Sequence, residues 1–194
     1  MRTTLRTAGV AVRAMLVFTA ILGVGYMLLI TGIGQLALPG QANGSLVRSA
    51  DGTVVGSSLI GQSFQDADGQ ALPQYFQSRP SAASWDAAAS SGSNFGPENT
   101  DLIASISSNR AAFEALNGPG AIPADAVTAS ASGLDPDISV AHAERQAARV
   151  AEARGIPVSD VEALVAAHTR DRDLGFLGEP RVNVLELNRA LDAR

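Results

Sequence analysis

The sequence predicts an α+β protein, with one N-terminal transmembrane helix followed by a single mixed α/β extracytoplasmic domain. Three observations predict this architecture. Residues 14–38 are 25 consecutive residues without a charged side chain. The 156 residues after them are enough for one domain with its own core. After residue 38, turn-rich segments alternate with stretches in which apolar residues recur at helical spacing, a pattern typical of mixed α/β domains.

Residues 14–38 are long enough to cross a bilayer as a helix, since about 20 apolar residues span its core of about 30 Å. A cleaved signal peptide is the alternative, with residues 40–42 as the cleavage site. Signal peptides have shorter apolar regions of about 7 to 15 residues, so we predict an anchor. Its glycines allow another helix to approach closely and are candidate helix-packing positions: Gly23, Gly25, Gly32 and Gly34.

The charges before the apolar stretch predict its orientation. Three arginines and no acidic residue precede the stretch: Arg2, Arg6 and Arg13. Positively charged segments beside a transmembrane helix remain in the cytoplasm. We therefore expect a cytoplasmic N-terminus (residues 1–13), a single transmembrane pass in the cell (inner) membrane (residues 14–38) and a soluble extracytoplasmic domain (residues 39–194).

The composition excludes several classes of function. The chain has no cysteine, which excludes disulfides, thiol catalysis and cysteine-based zinc sites. After residue 38, 11 arginines stand against 19 acidic residues, a net charge of −8. An acidic domain of this kind is a poor candidate for binding nucleic acid.

Local patterns predict the elements of the domain in order. A hairpin is expected over residues 45–62, turning at Asp51 and Gly52. Residues 65–74 predict a loop, and residues 127–132 a short strand. Four helices are predicted: residues 100–116 with Thr100 as N-cap, residues 139–154, residues 159–170 from a capping box at Ser159, and a last helix from Asn183.

The residues show no catalytic motif, since phosphate-loop, zinc-protease and serine-hydrolase patterns are absent. His168 lies at the edge of an apolar helix face and is interpreted as structural. His142 shares a predicted helix face with Arg145, Gln146 and Arg149. We interpret this face as solvated, with a contact surface for an acidic partner as the alternative.

Six aspartates form three Asp-x-Asp pairs, but a calcium loop needs further oxygen ligands, so solvated loops are predicted. The pairs are Asp66 with Asp68, Asp135 with Asp137, and Asp171 with Asp173.

Two regions, residues 78–97 and 127–139, are rich in small hydroxyl residues beside glycine and proline. Such side chains bind backbone groups in turns. Mutual bracing of the loops and contact with a partner both remain open at this point. The candidate residues for either role are Arg79, Pro80, Ser81, Ser93, Asn94, Ser130, Ser132 and Asp135.

Ordered motifs resembling one family occur along nearly the whole chain. They include LITG (29–32), QANGSL (41–46), VGSSLIGQ (55–62), RPSA (79–82), GSN (92–94), SGLDP (132–136), RVAEARG (149–155) and GEPRVNVLELN (178–188). The sequence resembles the KdpC family, the C subunit of the Kdp potassium-transporting P-type ATPase. Phe95 and Val140 are small departures, where the family usually has leucine and often has proline.

The resemblance implies a non-catalytic accessory subunit of a high-affinity, ATP-driven potassium uptake complex of bacterial membranes. Its implied partners are an ATP-hydrolysing subunit and a potassium-channel-like subunit, besides the lipid bilayer. It also implies help in assembly and a catalytic chaperone role that raises the ATP affinity of the hydrolysing subunit. ATP binding comes from the resemblance alone, because the residues themselves predict no cofactor, metal or nucleic-acid partner.

Two other classes of function are compatible with the residues. One is an anchored binding module that senses a small molecule or ion. The other is an anchored hydrolase using His142 or His168, which the missing nucleophile motifs disfavour.

Overall fold

The computed structural model describes residues 2–49 and 51–194. Met1, Ala50 and the side chain of Arg2 lie outside the described residues. The predicted contribution of Arg2 to the orientation of the helix therefore also lies outside them. The chain divides into two units, up to residue 46 and from residue 47 onward.

The N-terminal unit is built around one long helix. It runs as α1 (Arg2–Phe18), a π-helical segment (Thr19–Gly25) and α2 (Tyr26–Ala37). The helix ends because Leu38 precedes a proline and leaves the helical region, with φ −135°. By length and composition its residues Thr3–Ala37 could cross a membrane.

The helix and the predicted membrane segment, residues 14–38, differ in extent at both ends. Leu38 lies outside the helix, and the helix begins about a dozen residues before the predicted start at residue 14. Apolar content marks where a helix can meet lipid, whereas the backbone stays helical through the polar residues before it. A short helix, α3 (Pro39–Ala42), follows.

The predicted hairpin is present but shorter than expected. Strands β1 (Leu46–Arg48) and β2 (Val54–Ser57) pair in a two-stranded sheet. In the turn, the Asp51 Oδ1 accepts hydrogen bonds from the Ser49 hydroxyl at 2.5 Å and the Thr53 N–H at 3.0 Å. The predicted extension to residue 62 is wrong, because the chain leaves the sheet after Ser57.

Residues 58–99 contain no helix or strand apart from an isolated bridge between Gln65 and Ala71. This long irregular segment ends at α4 (Thr100–Asn117), which confirms the predicted helix. The N-cap is Asn99 rather than Thr100, because the Asn99 Oδ1 accepts the Asp101 N–H at 2.7 Å.

The second half of the domain folds on a small antiparallel sheet. A 3₁₀ turn (Ala124–Ala126) precedes β3 (Asp137–Ser139). The order of strands is β3-β5-β4, with β4 at Thr169–Arg170 and β5 at Arg181–Asn183. The strand predicted at residues 127–132 is wrong, because these residues form turns held by their own hydroxyls.

Three helices supply most of the core: two of them contact the strands of this sheet, and the third packs against the other two. They are α5 (Val140–Arg154), α6 (Val158–Ala167) and α7 (Val184–Asp192). Ser139 and Asn183, the residues at which these helices are predicted to begin, are the N-caps of α5 and α7. The capping box at Ser159 is wrong, since Pro157 occupies the N-cap position without a side-chain bond. The core consists of apolar side chains from all three helices and the sheet: Ile138, Ala143, Ala147, Val150, Ala151, Val161, Leu164, Val165, Val182, Val184, Leu187 and Leu191, together with Phe76.

Phe76 brings the irregular segment into this core, and two buried amides hold its backbone there. The Phe76 N–H donates to the Asn188 Oδ1 at 2.8 Å, and the Asn188 Nδ2 donates to the Phe76 carbonyl at 2.9 Å. Gln146 makes the same pair of bonds with Gln77, at 2.8 and 3.1 Å. We call these four bonds the amide clamp. It supplies the partners that a neighbouring strand would otherwise provide.

Replacing Asn188 with leucine should lower the free energy of unfolding by about 2–6 kcal/mol. The change keeps the branching of the side chain but leaves the buried N–H and carbonyl of Phe76 unpaired, at roughly 1–3 kcal/mol each. Urea unfolding of the detergent-solubilised chain measures the effect. Gln70→Leu, an exposed amide of the same irregular segment, is the control. A loss below about 0.5 kcal/mol for Asn188→Leu would show that the clamp contributes little.

Candidate functional site

The candidate site is a cluster of loops in which residues 78–85 meet residues 128–135. Arg79 is its main cross-link. Its Nη1 donates to the Asp135 Oδ2 at 2.9 Å, and its Nη2 lies 3.4 Å from the carbonyls of Thr128 and Ala129. Both charged side chains are partly covered, so the pair is better shielded from water than a surface ion pair.

Backbone and hydroxyl groups complete the contact between the two segments. The Ser130 N–H donates to the Pro80 carbonyl at 2.9 Å. The Ser81 hydroxyl donates to the Gly133 carbonyl at 2.6 Å and accepts the N–H groups of Ala83 and Trp85 at 3.1 Å. One hydroxyl thus organises its own turn and joins it to the other segment.

The second segment turns around two serines. The Ser130 Oγ accepts the Gly133 N–H at 3.1 Å and lies 3.1 Å from the Ser132 Oγ, which accepts the Leu134 N–H. Gly133 has φ +68°, and a Cβ there would lie 2.6 Å from the Ala83 Cβ. Only glycine fits this approach of the two segments.

The structure therefore brings six of the eight candidate residues together, and it leaves Ser93 and Asn94 outside this network. Both are exposed. Asn94 has φ +54°, and its Nδ2 donates to the nearby Gly92 carbonyl. A role of these residues in partner contact stays a prediction.

The polar face predicted on α5 lies inside the domain, so its interpretation as a solvated or partner-binding surface is wrong. His142 is 2% exposed. Its Nδ1 lies 3.1 Å from the Asp125 Oδ2, and the same carboxylate accepts the Ser139 N–H and hydroxyl. The Phe113 ring packs edge-on against the imidazole.

The two arginines of that face also bind within the domain. Arg145 donates to four backbone carbonyls between residues 117 and 121, just after α4. Arg149 donates to the carbonyls of Pro73 and Tyr75 and to the Asn117 Oδ1. The face looked solvated in sequence because the irregular segments that cover it have no periodic pattern.

His168 closes the C-terminus of α6, where its Nδ1 lies 2.9 Å from the Leu164 carbonyl. This contact supports its structural interpretation. Among the aspartate pairs, Asp135, Asp137 and Asp173 form ion pairs with arginines, and Asp66, Asp68 and Asp171 are exposed. Within residues 2–49 and 51–194, no group of three acidic or histidine side chains is placed to hold a metal ion.

The glycines proposed for helix packing lie at different places in the helix. Gly23 and Gly25 are in the π-helical segment, while Gly32 and Gly34 are in α2. A Cβ added at Gly32 would meet nothing within 4 Å, whereas one at Gly34 would touch the Ala42 Cβ at 3.7 Å. Gly32 thus leaves open space for another helix.

An open groove of about 700 Å³ lies between α4 and the irregular segment, with Trp85 and His142 among its walls. Several amides in the walls, including Gln77, Gln146 and Asn109, already bind protein groups. The described walls hold no arginine, so this groove offers no cation for a triphosphate.

Comparison with known proteins now identifies the family. A family model described as "KdpC: K+-transporting ATPase, c chain" matches residues 8–193. The chain belongs to the KdpC family. It is 59% identical to a protein of Caulobacter vibrioides (strain NA1000 / CB15N) over 186 residues, 95% of this chain and 91% of that one. It is 51% identical to a protein of Mycobacterium tuberculosis (strain ATCC 25177 / H37Ra), covering 94% and 95% of the two chains. Both relatives are named potassium-transporting ATPase KdpC subunit.

Sequence reasoning missed two important residues of this KdpC-family domain, Asp125 and Asn188, and it assigned a third, Gln146, to a solvated face although it belongs to the amide clamp. A signal for the amides was present. Gln146 and Asn188 are polar residues on the apolar faces of α5 and α7, beside Ala147 and Leu187. A buried amide on such a face needs partners, so its position indicates an internal contact.

Three partly buried charged groups of the domain have shifted pKa values. Burial alone would raise the pKa of Asp125, but hydrogen bonds from His142 and Ser139 outweigh it and hold the pKa well below its ordinary 3.8. Burial, reinforced by the charge of Asp135, raises the pKa of Asp137. Burial lowers the pKa of Arg149 to about 10, which leaves it charged at neutral pH.

The stability of the domain should fall in acid, in part through Asp125. Its folded-state pKa is lower than its unfolded value, so its ionised form stabilises the fold above about pH 4, and this contribution is lost as pH falls through the folded pKa. Asp125→Asn should flatten part of the decline measured by unfolding between pH 5 and pH 2.

The control for this prediction is Asp137→Asn. Because the pKa of Asp137 is raised, its protonation favours the fold, and this variant should make the acid decline steeper. An unchanged pH profile for Asp125→Asn would contradict the assignment.

Proposed function

We propose that this chain is a single-pass, non-catalytic accessory subunit of an ATP-driven, high-affinity potassium uptake complex. The observation that carries the proposal is membership of the KdpC family over residues 8–193. The proposed partners are an ATP-hydrolysing subunit and a potassium-channel-like subunit of the same complex.

The proposed topology places residues 1–13 in the cytoplasm, residues 14–38 in the inner membrane and residues 39–194 outside. Two features support it. The helix over Thr3–Ala37 is long and apolar enough to cross a bilayer. The arginines at its N-terminal end favour the cytoplasmic side.

The contacts of the serine and histidine side chains, the groups that could act as nucleophile or base, support a non-catalytic role. Ser81 and Ser130 bind backbone groups of the loop cluster. His142 is buried against Asp125 and Phe113. These residues build the fold.

The chain is further proposed to assist assembly and to act as a catalytic chaperone that raises the ATP affinity of the hydrolysing subunit. With the domain outside and ATP inside, this action is a coupling free energy between two sites, transmitted through contacts with the partner subunits. The uncharged groove supports an action on a partner's nucleotide site over capture of ATP by this domain.

Omitting this chain from the reconstituted complex should raise the KM for ATP by roughly 5- to 150-fold, the range of typical coupling free energies. ATPase rates measured against ATP concentration, with and without the added chain, give the value. Equilibrium binding of ATP to the chain alone is the control and should be undetectable below millimolar concentrations. An unchanged KM would contradict the chaperone role.

The topology can be tested with single cysteines, because the chain has none of its own. Ser159→Cys, at an exposed position, should react with a membrane-impermeant thiol reagent added to spheroplasts. Thr4→Cys, at the other end of the proposed span, should react only after lysis. Labelling in the reverse pattern would overturn the orientation.

A further inference from the structure

The loop between β4 and β5 carries a cluster of exposed apolar side chains, which we call the apolar tip: Leu174, Phe176 and Leu177. Their exposed fractions are 83%, 69% and 49%. Among the described residues from 47 onward, Leu174 and Phe176 are the two most exposed large apolar side chains. Clustered apolar exposure of this kind marks a contact site more often than scattered single residues do.

Backbone hydrogen bonds hold the apolar tip in a defined shape. Asp173 and Leu177 exchange two N–H···O bonds of 2.9 Å, which close a tight turn around Gly175 at φ +82°. Leu174 is held at φ +55°, a conformation that is unfavourable for leucine. Backbone strain of this kind is found at functional sites, so we interpret this turn with its exposed apolar side chains as a contact site.

Ion pairs fix the base of the loop. Arg172 pairs with Glu179, and the Arg181 Nη2 lies 3.4 Å from the Asp173 Oδ2. The apolar tip therefore extends from a braced hairpin rather than from a free loop. A preformed element loses less conformational entropy on binding.

We propose that the apolar tip inserts into an apolar pocket with a basic rim on another subunit of the ATPase complex, which rests on the proposed function. A protruding tip of three side chains fits a concave protein surface and cannot enclose a small molecule.

The charge of the domain favours a partner subunit over the other apolar surfaces that the tip could contact. Two of the three acids in residues 171–179 pair with arginines, so the negative charge is that of the domain as a whole, which is −8 after residue 38. An anionic lipid surface and a second copy of this acidic domain would both repel it. A basic rim would attract the domain and orient the docking.

Co-purification tests the proposal with the full chain. An affinity-tagged chain is expressed with the untagged subunits of the complex, and their yield is compared with that of Phe176→Ser, alone and combined with Leu174→Asn. The double variant should reduce the co-purified subunits at least tenfold, as expected when a central apolar anchor is lost. Leu59→Ser is the matched control, an apolar residue of 63% exposure elsewhere in the domain, and should retain the wild-type yield.

The outcomes separate this inference from the proposed function. If the wild-type chain brings down no partner, the proposed function fails. If the wild type and the double variant co-purify the partners equally, docking through the apolar tip is overturned while the function stands. Melting temperatures of the purified chains should agree within a few degrees, because the exposed side chains pack on little; a large drop for the double variant would overturn the inference.

A reporter at the tip distinguishes the occupants directly. Phe176→Cys carries the only thiol of its chain and can be labelled with a polarity-sensitive dye. Its emission should shift to the blue on addition of the partner subunits and remain unchanged in vesicles of anionic lipid alone or with increasing concentration of the chain. A shift in vesicles alone, or on self-association, would overturn the proposal.

Discussion

The amide clamp is the interaction on which the rest of the domain depends. Phe76 lies at 0% exposure in the core, yet its segment belongs to no sheet. Burying a peptide group without a partner is costly, so the segment could not enter the core unless side chains replaced the missing strand. Asn188 and Gln146 do so from two different helices, each binding the N–H and the carbonyl of one residue.

The loop cluster follows from this anchoring. Residues 78–85 leave the clamped segment directly, so Arg79 and Ser81 meet the turn around Gly133 at a fixed position. The same segment covers α5, and Arg149 binds its carbonyls. Several polar side chains of this domain, among them His142, Gln146 and Asn188, thus face inward, while large apolar ones remain exposed at the apolar tip. That distribution favours a protein that works through contact.

Much of the fold could be predicted because its signals are local. Ser139 and Asn183 mark the N-terminal ends of α5 and α7, and Asp51 and Gly52 mark the turn of the hairpin. The strands β3, β4 and β5 have two or three residues each, too few to show alternation. The burial of His142 could not be predicted either, since Phe113 and Asp125, which contact it, are distant in sequence. For the candidate site, the residue types indicated turns whose side chains bind their own backbone. The sequence could not show which of these turns contact each other, because those contacts join residues distant in the chain.

The role of the amide clamp can be tested by amide hydrogen exchange at Phe76 and Gln77, followed by NMR on the chain in detergent micelles. We expect exchange as slow as that of core amides in α5, because both N–H groups open only when the domain unfolds. The amide of Ser93, in an exposed loop, should exchange orders of magnitude faster. Exchange of Phe76 and Gln77 at the rate of Ser93 would contradict the claim that the amide clamp holds the domain together.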